Sequence, residues 1–225
     1  MSDHTIHGIK AIIFDMDGTL VDSEINTERS VDILLSKRNI PHADLDYGVF
    51  YGVTWQKIES ILKETYPQLI PESLAAELQH EFHVLFQSDQ TEFIPGVHDF
   101  WRLAAQLGLR LAIGTSSNRE SVEFLVDRMD VRSICEAIVS AEDYNKSKPD
   151  PDCYLHAAQK LNLPVENCLV FEDSIPGLKA ARAAGMYAVA ITHRSTDPIE
   201  AARIANLAVA NYTRLPDKFL SEIRY

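Results

Sequence analysis

Phe14-Asp15-Met16-Asp17-Gly18-Thr19-Leu20 decides how this chain is read. The run leading into it, Ile9-Lys10-Ala11-Ile12-Ile13-Phe14, is short, rich in Ile and interrupted only by Lys10, the pattern of a buried strand. It stops at two carboxylates. Asp15 and Asp17 flank Met16 where the strand gives way to Gly18, so both side chains can turn into the crevice beyond the strand's carboxyl end, where α/β sheets bind ligands. A packing argument puts neither there. The competing reading is a strand followed by an ordinary acidic Asp-Gly turn.

The 225 residues are enough for one large domain or two small ones, and 46% apolar with 24% charged residues is the composition of a soluble globular protein. No apolar run has the length of a membrane span, and Met1-Ser2-Asp3-His4 lacks the basic and then apolar character of a signal peptide, so a cytoplasmic location is expected. Cys135, Cys153 and Cys168 are odd in number and not closely paired, which suits buried thiols in a reducing compartment. A net charge of −12 repels nucleic acid, and it repels anionic substrates as well. A phosphate site here has to be made locally positive, by a divalent cation and a positioned lysine. With no unexplained apolar stripe, a monomer is expected.

Beyond Thr19, helical spacing is read over Asp22 to Lys37, with Asp22 or Ser23 as cap, then over a short stretch from Leu45 to Phe50. Thr54 caps a helix from Trp55 to Tyr66, and Ser73 to Gln87 is the next. Nothing between about residues 20 and 92 reads as a strand, whereas strand and helix alternate from Gly96 onward. Strands are expected at Leu109–Ile113, Ala137–Ser140, Cys168–Phe171, Tyr187–Ile191 and Leu207–Ala210. Helices are expected at Val97–Leu107, Arg119–Met129, Pro151–Leu161, Ile175–Ala184 and Pro198–Ile204, with Asp150 capping the third. The fold class is therefore α/β, a doubly wound Rossmann-like parallel sheet. A small helical domain, residues 20–92, is inserted into a core of residues 1–19 and 93–225, on linkers Thr19–Asp22 and Ser88–Pro95.

Three further segments place polar residues just past a strand. Gly114-Thr115-Ser116-Ser117-Asn118 offers a hydroxyl and backbone N–H groups at a helix N-terminus, an anion cradle, and Ser117 or Asn118 can equally be a plain N-cap. Lys148-Pro149-Asp150-Pro151-Asp152 fixes a lysine between prolines. Phe171-Glu172-Asp173-Ser174 either caps the next helix or adds two more acids to the crevice. If it adds them, four carboxylates repel one another and demand a cation. Hard oxygen ligands beside a phosphate favour Mg²⁺.

Taken together these segments resemble the haloacid dehalogenase superfamily, whose motifs run in the same order: Asp15-Met16-Asp17-Gly18-Thr19, then Thr115, then Lys148, then Glu172-Asp173. The likeness extends through Lys148-Pro149-Asp150-Pro151-Asp152, Ser174-x-x-Gly177, Ala180-Ala181 and Ala184-Gly185-Met186, and the helical insertion resembles the family's α-helical cap. The resemblance implies a nucleophilic Asp15 that becomes phosphorylated and Asp17 as its acid/base partner. It also implies phosphate binding by Thr115, the Ser116 amide and Lys148. Mg²⁺ ligation falls to Asp15, the Asp17 carbonyl and Asp173, with Glu172 a ligand or a supporting group. The expected activity is that of a phosphatase on a small phosphorylated metabolite, a sugar phosphate or similar. In the cap, Ser23, Glu24, Asn26, Thr27, Tyr51 and Trp55 are candidates for facing the substrate, although Trp55 also fits its own helix's apolar stripe.

Two alternatives stand beside this reading. A β-phosphoglucomutase-like enzyme carries a cap histidine and arginine where this chain aligns Thr27 and Trp55, and tends to carry valine at Thr19. A phosphometabolite-binding regulatory module keeps the fold without turnover. Dehalogenase and phosphonatase chemistry would lack the carboxylate at Asp17.

Overall fold

The computed structural model describes residues 8–51, 53–88 and 91–224. The N-terminal stretch 1–4 and residues 89–90 of the expected second linker lie outside the described residues. The chain forms two compact units, residues 8–21 with 93–224, and residues 22–92.

The first unit is built on β1 (Ala11–Phe14), whose four residues are all buried. It is central in a six-stranded sheet of order β3-β2-β1-β4-β5-β6, with β2 Arg110–Gly114, β3 Cys135–Val139, β4 Cys168–Glu172, β5 Tyr187–Ile191 and β6 Leu207–Val209. Every pairing is parallel. A strand with neighbours on both edges and helices on both faces has no wet side, which is why its sequence is continuously apolar.

Its side chains alternate between two layers. Ala11 and Ile13 enter a core with Tyr154, Ala157, Leu161, Leu178 and Ala181, from α6 (Asp152–Lys160), its end, and α7 (Ile175–Ala183). Phe14 enters an aromatic layer on the other side. Its ring stacks 4.4 Å from Trp101 of α4 (Val97–Gln106) and 5.4 Å from Phe171 of β4, with Phe100, Tyr212 and Phe219 around them. Phe219 opens α9 (Phe219–Arg224), a helix with no counterpart in the sequence reading, whose Ile223 carbonyl accepts from the Ile9 amide at 2.9 Å. Residues 20 and 21 pair with 93 and 94, closing the two chain crossings side by side.

The second unit holds α1 (Ser23–Lys37), α2 (Trp55–Thr65) and α3 (Ala75–Phe86), with a 3₁₀ turn at Tyr47–Phe50, around Val31, Leu34, Phe50, Ile58, Leu62, Leu69 and Leu78. Thr54 caps α2 as expected, accepting from the Lys57 amide. In contrast, α3 starts two residues later than expected. The Glu59 carboxylate, reaching over from α2, takes the Leu74 and Ala75 amides at 3.0 and 2.8 Å, so the first turn is capped from another helix. Strand β3 begins at Cys135, two residues earlier than expected, and its pairing with β2 shifts register between Leu111 and Ala112. Asp150 does not cap α6 at its first residue; Pro151 holds that position, and Asp150 Oδ1 accepts weakly from the Asp152 amide.

Arg38 ties α1 to α3. Its guanidinium donates to Glu72 Oε2 at 2.6 and 2.8 Å, to Glu77 at 2.7 and 3.1 Å, and to the Leu34 carbonyl at 3.1 Å, so every N–H is used. The Arg38 hydrogen bond holds the Glu77 carboxyl below its ordinary value of 4.5. A carboxyl depressed by folding contributes stability that is complete above the unfolded value and is lost as pH falls through the folded one. Arg38→Met is therefore expected to lower stability by about 1–2 kcal/mol at neutral pH, since the cluster is only partly shielded. In thermal melts the gap between variant and parent closes as pH drops below 4.5.

Candidate active site

Register brings the motif residues to one height. Phe14 lies opposite Ile113 on one side and Phe171 on the other, so the next residues, Asp15, Gly114 and Glu172, come side by side at the carboxyl edge of the sheet. The Asp15 amide still donates to the Phe171 carbonyl at 2.9 Å, holding its Cα at the end of the strand.

Lys148 reaches this edge from the loop before α6. Its ammonium donates to Asp15 Oδ1 at 2.5 Å, Glu172 Oε2 at 2.8 Å and the Gly114 carbonyl at 3.3 Å, which uses all three of its protons. The three side chains are buried, 7% exposed for Lys148, 8% for Asp15 and 1% for Glu172. Burial opposes the charge on Lys148, but Asp15 and Glu172 outweigh it and hold the ammonium well above its ordinary value. Lys148 is a fixed cation.

Glu172 is the anchor of that cation. Its Oε2 accepts from Lys148 and from the Tyr154 hydroxyl at 2.5 Å, while Oε1 accepts from the Asp173 amide, the Ser174 amide and the Ser174 hydroxyl at 2.9–3.0 Å. Five donors on a buried carboxylate, with Lys148 foremost among its partners, keep it ionised below the usual carboxylate value despite its burial. The carboxylate lies across the first turn of α7, where a Cβ on Gly177 would stand 1.8 Å from Oε2. The Tyr154 ring also lies under the ammonium, its centroid 4.8 Å from Nζ.

Asp173 and Asp17 complete the acidic set. A Cβ on Gly18, which has φ +71°, would meet Asp173 Oδ2 at 2.1 Å, so this turn needs glycine for both conformation and space. Thr19 Oγ1 donates to Asp173 Oδ1 at 3.4 Å, and the Ser117 hydroxyl donates to Asp17 Oδ2 at 2.5 Å. Asn118 is the N-cap of α5 (Arg119–Arg128), accepting from the Ser121 amide, which leaves Ser117 to Asp17. Thr115 is buried and its hydroxyl accepts from the Ser117 amide at 3.1 Å; Ser116 is exposed.

Asp15, Glu172 and Asp173 each present an oxygen within 4.8 Å of the others. Burial, then the Glu172 charge, push both the Asp15 and the Asp173 carboxyls well above the ordinary range. Three carboxylates against one ammonium are an unbalanced buried charge, and a hard divalent cation fits the donor set. With Glu172 already accepting five hydrogen bonds, Asp15 and Asp173 have the free lone pairs.

The core motif residues predicted from the sequence, Asp15, Asp17, Thr115, Ser116, Lys148, Glu172 and Asp173, all lie in the first unit. A family model for haloacid dehalogenase-like hydrolases matches residues 9–185. The chain belongs to the haloacid dehalogenase-like hydrolases. That membership, together with relatives that are phosphatases, makes it an enzyme of the phosphoric monoester hydrolase type. This hydrolase is 32% identical to protein CbbY of Rhodobacter capsulatus, over 93% of this chain and 98% of that one. It is 32% identical to the fructose-1-phosphate phosphatase YqaB of Escherichia coli, over 79% and 94%. Its fold is similar to the crystal structure of a putative beta-phosphoglucomutase from Thermotoga maritima, with a TM-score of 0.77, 26% identity, and 95% and 97% coverage.

The cap candidates belong to the hydrolase's second unit. Ser23, Asn26 and Thr27 are buried on α1, and Glu24 is half-buried. Trp55 packs edge to face against Phe82 at 5.3 Å and joins the unit's own apolar cluster, while the Tyr51 hydroxyl bonds Glu28. Sequence reading missed Tyr154, Tyr144 and the pairing of Ser117 with Asp17, and it gave Gly177 only as part of the family likeness, without its role in making room for Glu172. The Tyr154 phenol inside α6 and Gly177 in the first turn of α7 carry no local sign of the carboxylate that they accommodate.

Gly177→Ala is expected to displace Glu172 and with it Lys148. A shift of about 1 Å at a reacting group costs on the order of 100-fold in turnover. Steady-state kinetics alongside a melting curve check it, and full activity in a folded variant contradicts the anchoring role.

Proposed function

We propose that this hydrolase cleaves a small phosphomonoester, a sugar phosphate or similar metabolite, through an aspartyl-phosphate intermediate on Asp15. The observation that carries this reading is Asp15 fixed against Lys148 at 2.5 Å, with Asp173 beside it and Asp17 two residues on, held by Ser117. An Asp15 oxygen attacks phosphorus as the ester P–O bond breaks, and Asp17 gives its proton to the leaving alkoxide. Asp17, now a carboxylate, takes a proton from water, whose oxygen attacks the acyl phosphate; inorganic phosphate leaves and Asp15 is regenerated. Lys148, Thr115 and the Ser116 amide bind the phosphoryl oxygens, where negative charge is concentrated.

Mg²⁺ is the cation proposed for Asp15, Asp173 and the Asp17 carbonyl, with Glu172 holding Lys148 rather than the metal. When bound it neutralises charge that would otherwise repel the substrate. Residues 22–92 are proposed as the cap, with Ser23, Glu24 and Thr27 as its substrate-reading residues. Trp55, packed on Phe82, is the least suited of the cap candidates. The phosphatase reading is preferred to a phosphosugar mutase because Thr27 and Trp55 occupy the positions of the mutase histidine and arginine. A regulatory module without turnover is disfavoured because each motif position keeps its functional group. Three free cysteines, two of them buried, support a reducing cytoplasmic setting, and a monomer remains the proposed state. Among the described residues no helix is long and apolar enough to cross a membrane.

Phosphate release from p-nitrophenyl phosphate and a panel of sugar phosphates, assayed with Mg²⁺, is the test. Asp15→Asn is expected to lower turnover by about 1,000-fold or more, as loss of a nucleophile does. EDTA abolishes activity and Mg²⁺ restores it. Equal rates in variant and parent contradict the mechanism, and interconversion of β-glucose 1-phosphate and glucose 6-phosphate faster than phosphate release makes the enzyme a mutase.

A further inference from the structure

Tyr144 stands four residues before Lys148, on a different loop from Thr115 and Ser116, yet its hydroxyl lies 3.2 Å from the Thr115 carbonyl oxygen and 3.2 Å from Ser116 Oγ. The Thr115 carbonyl can only accept, whereas the Ser116 hydroxyl can also donate, so the single phenol proton is assigned to the carbonyl. Burial pushes the phenol above its ordinary value, which keeps that proton in place at any working pH.

The neighbouring groups of the loop are fixed by other partners. The Thr115 amide donates to the Val139 carbonyl at 3.0 Å, the Ser117 amide to Thr115 Oγ1 at 3.1 Å, and the Ser117 carbonyl accepts from Ala141 at 3.0 Å. Between them the peptide joining Thr115 to Ser116 is held at its carbonyl by Tyr144, and the Ser116 N–H has no partner among the described residues. A trans peptide is planar with its C=O and N–H antiparallel, so fixing one fixes the other. A crankshaft turn about the Thr115 ψ and Ser116 φ would reverse that N–H while leaving the bonds on either side intact.

We propose that Tyr144 is a positioning residue that locks the Thr115–Ser116 peptide so that the Ser116 N–H stays available as a phosphoryl-oxygen donor. The inference rests on the phosphatase reading above, in which that N–H meets the substrate. An N–H held in advance serves the transition state, where charge builds on the oxygens, more than it serves ground-state binding.

The test is Tyr144→Phe, which keeps the ring and removes one hydroxyl. With p-nitrophenyl phosphate and Mg²⁺, kcat is expected to fall about tenfold, the scale of one hydrogen bond, with KM changed less than about twofold. Inhibition by orthovanadate, which mimics the five-coordinate phosphorus, weakens by the same factor, while inhibition by inorganic phosphate hardly moves. In ¹⁵N-labelled protein the Ser116 amide resonance shifts on adding vanadate in the parent and not in the variant, a signature that a purely structural role would not give. Parental kcat and vanadate inhibition in the variant overturn the proposal, as does an equal loss of phosphate and vanadate affinity, which would make Tyr144 a plain binding group. A variant that melts early is judged by the same amide resonance, recorded below its melting range. Asp15→Asn separates the two readings. If it retains turnover, the phosphatase mechanism and this inference fall together; if it is inactive and Tyr144→Phe is unchanged, only the locking role falls.

Discussion

The ammonium of Lys148, buried between Asp15 and Glu172, is the interaction on which the rest of the site depends. Taking charges out of water is costly, and their mutual attraction offsets that cost only when the geometry is tight and every remaining lone pair is matched. Here it is matched: three acceptors surround Nζ, and five donors surround Glu172. Among the described residues the Asp15 carboxylate accepts from Lys148 alone, which suits the nucleophile proposed for it.

Such a cluster requires a scaffold that does not yield. The parallel register of β1, β2 and β4 delivers Asp15, Gly114 and Glu172 to the same edge, and the stacked rings of Phe14, Trp101 and Phe171 lie one residue behind two of them. Close-packed aromatic layers resist displacement, so the carboxylates inherit the positional precision of the sheet. Two glycines complete the arrangement by absence of volume: Gly18 admits Asp173 and Gly177 admits Glu172, at separations that no side chain could share.

The control of orientation extends from side chains to the backbone. Ser117 holds Asp17, Ser174 and Tyr154 hold Glu172, and Tyr144 holds a peptide carbonyl. Each is a hydroxyl, all but that of Ser174 reach a segment distant in sequence, and each fixes a group that the proposed chemistry uses.

Local pattern determined much of this protein. The apolar run into Asp15, the alternation after Gly96, the caps at Thr54, Asn118 and Ser174, and the order of the acidic and lysine motifs could all be read because strand burial, helix capping and turn chemistry depend on neighbours a few residues away. Tertiary structure alone decided the rest. Glu59 capping α3, the shifted start of β3, α9 under the aromatic layer, and the tyrosines beside Glu172 and Thr115 rest on contacts between segments distant along the chain. A hydrogen bond across such a distance leaves no periodicity or spacing behind it, since its geometry exists only after the sheet has set the register and the helices have packed.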